Sequence, residues 1–143
     1  MKNDSNLFYT CSLIEYMSRQ KKLRRAETVQ KLGDKAIARV YRYADVLHCE
    51  PIEKVADGYE QQYLPEDGEY DNVKECRYKA PDYWTIGKVF SRLIEDVDQG
   101  DLLKSLNEVY TSWISDAISN YNTDLFYQPR EYLKECYLTG EII

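Results

Sequence analysis

The amino-acid sequence predicts an all-α protein, a single-domain bundle of six or seven helices. Apolar residues recur at intervals of three and four residues along most of the chain, which is the spacing of one face of a helix. No segment alternates cleanly between apolar and polar residues, as a half-buried strand would. A length of 143 residues is typical of one domain, so we expect 1–143 to form one helical domain.

Four helices are predicted in the first half of the chain. The first begins at a cap on Asp4 or Ser5, because short polar side chains accept hydrogen bonds from the free amides of a first helical turn. A short helix follows and ends at Gly33, and Asp34 caps a third helix. Pro51 suits the first position of the fourth helix, since that position needs no amide hydrogen.

The helical pattern fades between positions 64 and 81, where turn-forming residues are frequent. This stretch predicts a long irregular acidic loop that joins helical layers at 1–63 and 82–143. A connection of this length is either functional or packed against the rest of the protein.

Three further helices are predicted after the loop. The first follows Pro81 and ends at Gly100. Asp101 then starts the longest helix, which covers about 20 residues and ends near Tyr121. Pro129 opens the last helix.

Several function classes are excluded by composition. No apolar run reaches the ~18 residues of a membrane span, and the first residues lack the apolar core of a signal peptide. We therefore expect a cytoplasmic protein without a membrane partner. No phosphate-binding loop, nucleophile motif or zinc-type cysteine spacing occurs, so no cofactor is predicted.

The four cysteines are expected to be buried free thiols in a reducing compartment. Cys11 and Cys136 lie on the apolar stripes of predicted helices, which favours this interpretation. A metal site built from His48, Cys49 and two distant cysteines is the alternative.

Charge is unevenly distributed along the chain. The net charge is -6, yet residues 19–54 hold ten basic and five acidic residues, whereas residues 55–143 hold eight basic and eighteen acidic residues. Such segregation can steer a charged partner towards the protein. The alternative is that the two patches meet across the folded chain or face water.

Tyrosine is unusually frequent, with 14 residues in the chain. Tyrosine packs at the boundary of small cores and is enriched at interfaces, so both uses are open. With no catalytic set in view, we predict a non-enzymatic interaction protein that binds a protein partner, of the antitoxin-like, regulatory or phage-defence accessory kind, with a homodimer as a further possibility. The candidate contacts are the basic ridge of the third helix and the acidic loop: Arg39, Arg42, Tyr63, Glu66, Asp67, Glu69 and Tyr70.

Two alternatives involve nucleic acid. Residues 25–48 combine a helix, a glycine turn and a basic helix, which is typical of a helix-turn-helix DNA-binding regulator. Arg42 and His48 are spaced six positions apart, which resembles the arginine–histidine signature of the HEPN ribonucleases. That resemblance implies a helical dimer in which Arg42 and His48 act on an RNA phosphodiester.

A second resemblance rests on residues 7–16 (LFYTCSLIEY) and on Val46, Leu47 and His48 some thirty residues later. These segments are similar to a group of small bacterial helical domains of unknown function that occur in toxin–antitoxin-type gene pairs. The likeness covers residues 7–60. It implies a binding role and assigns no functional residues.

Overall fold

The computed structural model describes residues 4–143, and all regular structure in that range is helical. In chain order the α-helices are α1 (Ser5–Lys21), α2 (Arg25–Arg42), α3 (Ala44–Leu47), α4 (Ile52–Tyr63), α5 (Asn72–Glu75), α6 (Tyr83–Val97), α7 (Leu102–Tyr110), α8 (Trp113–Ser119) and α9 (Arg130–Thr139). A turn of 3-10 helix at Leu125–Tyr127 precedes α9. The prediction of an all-α single domain is confirmed, although these nine α-helices exceed the six or seven expected.

The antiparallel pair of α1 and α6 forms the most extensive helix–helix interface of the molecule. The two backbones approach closely at Gly87, where an added Cβ would lie 2.7 Å from the Cα of Ser12. Only a residue without a side chain fits such a crossing. Because α1 and α6 come from the two predicted layers, these layers are in direct contact along this interface.

The prediction of one long helix after Asp101 is wrong, because the segment is divided into α7 and α8. The Thr111 hydroxyl donates to the Asn107 carbonyl at 2.7 Å, and the Ser112 hydroxyl donates to the Val109 carbonyl at 2.7 Å. Hydroxyl groups that bond to nearby backbone compete with the helical pattern. The apolar periodicity continues across the break, which is why the sequence gives no sign of it.

The interruption predicted at Gly33 is confirmed, since this residue has φ 79° and ψ 166° and puts a kink into α2. A further break, which was not predicted, occurs at Tyr43 with φ −104° and ψ 16°. The predicted third helix therefore ends at Arg42, and α3 is a separate single turn. Because of this second break, α3 lies next to the start of α1.

The acidic segment 64–81 is packed across one end of the bundle, and we call it the acidic strap. It contains α5, and its backbone amides at Gly68 and Tyr70 donate to the carbonyls of Lys21 and Lys22 at 2.8 and 2.9 Å. The expected long loop is thus tied to the carboxyl end of α1.

Burial of thiols follows the prediction in part. Cys11 and Cys136 are fully buried, as expected, whereas Cys49 is exposed and Cys76 is half-buried. No helix in residues 4–143 combines the length and the apolar character required to cross a bilayer.

Candidate functional site

The site begins with a row of aromatic rings over the crossing of α1 and α6. Trp84 in the first turn of α6 has its ring centroid 5.6 Å from that of Phe8 and 6.5 Å from that of Tyr9. Tyr83 continues the row, with its centroid 5.0 Å from Trp84 and 5.1 Å from Tyr16. The close approach at Gly87 holds the two helices near enough for rings on both to touch.

Beside these rings lies an open groove of about 430 Å³, which we call the aromatic groove. One wall is formed by Phe8, Tyr9 and Trp84, and the other by Ala44 and its neighbours in α3. Trp84 is 36% exposed, although a ring of that size gains free energy from burial. The groove is therefore an apolar surface that the folded chain leaves open.

Tyr9 lines this groove with its ring and carries a buried hydroxyl. Its side chain is only 5% exposed, and its hydroxyl has no hydrogen-bond partner among residues 4–143. Burial raises the pKa of Tyr9 to about 12, with Tyr59 and Glu50 adding to the shift, so the hydroxyl stays protonated at neutral pH. A buried hydroxyl without a partner costs free energy.

His48 stands at the rim of the aromatic groove and is exposed to solvent. Its Nδ1 lies 2.8 Å from the carbonyl oxygen of Asp45, which can only accept, so Nδ1 carries the hydrogen. The neighbouring Cys49 Sγ lies 3.9 Å from the same nitrogen.

Arg42 does not join His48 at this site. Arg42 is exposed at the end of α2, the break at Tyr43 separates it from α3, and the described residues that line the aromatic groove include no arginine. The HEPN-like pairing thus has its histidine in the lining of the groove and its arginine outside that lining. Among residues 4–143 there is also no cluster of three or more metal-ligating side chains.

The predicted basic ridge is exposed, with Arg39 on the outer face of α2. Arg39 borders a shallow depression with Leu47, Val55 and Tyr59. Tyr63 is half-buried and stacks on Tyr59 with a centroid separation of 6.2 Å. These predicted contact residues therefore form a second aromatic and basic surface, on the α3 and α4 side of the bundle.

The predicted contacts in the acidic strap divide into two kinds. Glu66 and Glu69 are exposed. Asp67 pairs with Lys21 at 2.8 Å, and the Arg24 guanidinium lies 4.4 Å from the centre of the Tyr70 ring. Here the basic and acidic patches of the sequence meet each other across the folded chain.

Beneath the acidic strap lies a buried ionic cluster. Glu15 is completely buried and accepts from Arg25 Nη2 at 2.6 Å and from Arg19 Nε at 2.8 Å. The Tyr121 hydroxyl donates to the same carboxylate. Asn72 of α5 accepts from Arg25 Nη2 at 3.2 Å and donates to the Ser119 carbonyl at 2.8 Å, which fastens the strap to the cluster.

The electrostatics of this cluster follow from its geometry. Burial alone would raise the pKa of Glu15, but the guanidinium of Arg25, then Arg19 and the Tyr121 hydroxyl, outweigh it and lower the pKa to about 2. The carboxylate is therefore charged at neutral pH, fully hydrogen-bonded and closed to solvent. We interpret the cluster as structural, because no substrate could reach its charged atoms.

Sequence reasoning missed Phe8, Tyr9 and Trp84 as candidate site residues. The available signal was that Leu7, Phe8 and Tyr9 are consecutive, so their side chains point in three directions around α1 and cannot all lie on its apolar stripe. Nothing in the sequence placed α3 beside it. Comparisons with protein families, with curated proteins and with solved structures find no match to this chain.

Proposed function

We propose that this chain is a small, non-enzymatic interaction protein that binds a protein partner in the aromatic groove. The observation that carries the proposal is the combination of fixed position and exposure at Trp84, which contacts three other rings and is still 36% exposed. Tryptophan and tyrosine in preformed apolar depressions are the residues that contribute most to protein–protein affinity.

The groove favours an apolar side chain as the central contact of that partner. Phe8, Ala44 and Trp84 offer apolar surface on both walls, whereas polar groups lie mainly at the rim. A partner helix that inserts an apolar residue between α1 and α3 meets this requirement.

We place this activity in the cytoplasm of a bacterial cell, with a gene-pair partner of the toxin–antitoxin or phage-defence kind. The thiols of Cys11 and Cys136 lie unoxidised in the core, as is usual in a reducing compartment. The resemblance of residues 7–60 to small bacterial binding domains supports the same assignment. The basic ridge around Arg39 and the exposed acids Glu66 and Glu69 are proposed as secondary contacts.

The proposal is tested by photo-cross-linking inside the native cell. A photoreactive residue at Asp45, which is exposed on α3 and lines the groove, is compared with one at Leu138, which is 57% exposed on α9. We expect one discrete product from position 45 that is absent from position 138. The same set of products from both positions would count against the groove, and a product containing a second copy of this chain would replace the partner with a homodimer.

The affinity for the purified partner then shows whether Trp84 contributes to binding. Trp84→Ala is expected to weaken binding by about tenfold or more, because loss of a central tryptophan costs about 2 kcal/mol. Trp113→Ala is the matched control, since Trp113 is 39% exposed in the first turn of α8 and lies outside the groove. Circular dichroism checks that both variants are folded, and equal affinities for the two would refute the proposal.

The ribonuclease alternative is kept as a second candidate because His48 is exposed beside a groove. It predicts RNA cleavage that disappears in His48→Ala and in Arg42→Ala. The DNA-binding alternative predicts duplex binding that falls with salt and is weakened in Arg39→Ala. Neither activity is expected if the aromatic groove holds a protein.

A further inference from the structure

A second cavity lies on the α9 side of α6 and encloses about 280 Å³. We call it the α6–α9 cavity. Its walls are apolar, formed by Val89 and Leu93 of α6, Phe126 of the 3-10 turn and Leu133 of α9. The Tyr127 ring, 76% exposed, stands at its edge. This volume suits a molecule of one or two rings, near the lower end of the usual range for ligand pockets.

Three cationic side chains line the same cavity. Lys88 and Arg92 come from successive turns of α6, and Arg130 comes from the start of α9, while none of the lining residues is acidic. Residues 55–143 hold eighteen acidic and eight basic residues, so a lining with three basic residues and no acidic residue is an exception in this half of the chain. The cavity therefore joins apolar walls to a local positive field.

The partners of these cations differ. Arg130 donates to both oxygens of Asp96 at 2.9 Å, which compensates its charge. Among residues 4–143, Lys88 and Arg92 form no salt bridge, and the buried Nε of Arg92 has no hydrogen-bond acceptor. Asp4 and Glu95 line, together with Lys88 and Arg92, the neighbouring hollow by the start of α1, and Glu95 also interacts electrostatically with Arg130.

We propose that the α6–α9 cavity binds a small organic anion, a carboxylate or phosphate carried on a planar apolar body. The anionic group would lie between Lys88 and Arg92 and accept from the Lys88 ammonium and the Arg92 guanidinium, since such cations bind these oxygens with strong charge-assisted hydrogen bonds. The apolar body would pack on Phe126 and Leu133. This site is separate from the aromatic groove and does not depend on the function proposed there.

The test is an NMR titration of the folded chain with three probes. Indole-3-propionate carries a carboxylate, phenyl phosphate carries a phosphate, and tryptamine carries an ammonium group on the same indole ring. We expect saturable shifts at the amides of Val89, Tyr127 and Leu133 with at least one anion, and affinity about tenfold weaker for tryptamine. The stronger anion identifies which acidic group the cavity prefers.

Substitutions of the lining cations test which side chains contribute to anion binding. Arg92→Met and Lys88→Met keep an unbranched side chain without the charge and are each expected to weaken anion binding about fivefold or more. Arg92→Lys should restore part of the loss seen in Arg92→Met. Lys79→Met, an exposed lysine of the acidic strap, is the matched control and should leave affinity unchanged.

Three results would each overturn the proposal: equal affinity for tryptamine and the anions, no saturable binding at millimolar probe, or shifts that map away from the cavity. Unchanged affinity in both methionine variants would do the same. A loss of protein contact in Trp84→Ala has no bearing on these outcomes, so the two proposals fail separately.

Discussion

At the carboxyl end of α1, Glu15 is wholly buried and surrounded by Arg19, Arg25 and Tyr121, whereas at the amino end Phe8 and Trp84 stay partly exposed beside an open groove. In the buried ionic cluster every carboxylate oxygen has a donor. In the aromatic groove the Tyr9 hydroxyl has none within residues 4–143. The same helix thus has a solvent-excluded ionic cluster towards its carboxyl end and an open apolar groove at its amino end.

This difference separates conformational stability from binding. A buried charge without a partner is very costly, so the ionic cluster fixes the position of the acidic strap and tolerates no change. Exposed rings cost little while they remain in water, so the groove can stay open until a partner covers it. Substitutions in the cluster should therefore unfold the protein, and substitutions in the groove should spare the fold and reduce binding.

The largest expected effect comes from removing one partner of the buried ionic cluster. Arg25→Met leaves Glu15 charged and only partly compensated, and it should lower the free energy of unfolding by about 3–5 kcal/mol. Urea unfolding followed by circular dichroism measures this change. Lys31→Met is the matched control, because the Glu27–Lys31 pair at 3.4 Å is exposed and should contribute less than about 1 kcal/mol. Similar losses in the two variants would contradict a special role for the cluster.

The next effect concerns the close crossing below the aromatic groove. Gly87→Ala places a methyl group against the Ser12 backbone and should destabilise the fold by about 1–3 kcal/mol, because α1 and α6 must move apart. Gly58→Ala in α4 is the control, since no atom lies within 4 Å of an added Cβ there. That variant should be neutral or slightly stabilising, as alanine favours helix. A neutral Gly87→Ala would show that the crossing is looser than described.

The smallest effect is a contrast in pH dependence between two buried carboxylates. The pKa of Glu15 is lowered to about 2, so its stabilisation is complete above pH 4.5 and is lost as pH falls from there to about 2. Burial is the main cause that raises the pKa of Glu60 to about 7. The nearby Asp57 and Asp67 add to this shift, and Lys21 opposes it. The folded state therefore binds the extra proton, and unfolding free energy decreases as pH rises from 4.5 to about 7.

Two isosteric variants separate these slopes. Glu60→Gln should remove the decrease in unfolding free energy near neutral pH and stabilise the protein by about 1–2 kcal/mol at pH 8. Glu15→Gln should remove the decrease in unfolding free energy in acid, although this variant is less stable than the parent chain at every pH. Urea unfolding across the pH range checks both signs. A Glu60→Gln curve parallel to that of the parent chain would contradict the assignment.

Much of the local structure could be predicted from the sequence. The caps at Asp4 and Asp101, the interruption at Gly33 and the burial of Cys11 follow from short-range chemistry and apolar periodicity, and the structure confirms them. The division of the long helix into α7 and α8 was missed, because hydroxyl bonds to the backbone leave that periodicity intact. The candidate site was mostly missed, since its three rings are distant in sequence or off the apolar stripe.

The sequence by itself determined the fold class, most helix boundaries and the segregation of charge, because these depend on neighbours within a turn or two of the chain. Only the tertiary structure decided which of those charges form ion pairs and which lie beside an open cavity. Lys21 meets Asp67 and Arg25 meets Glu15 inside the folded chain, while Lys88 and Arg92 are left beside a cavity. The physical reason is that burial and pairing depend on which elements pack together. Here α1 meets α2 and the acidic strap at the two ion pairs, whereas α6 and α9 leave a cavity between them.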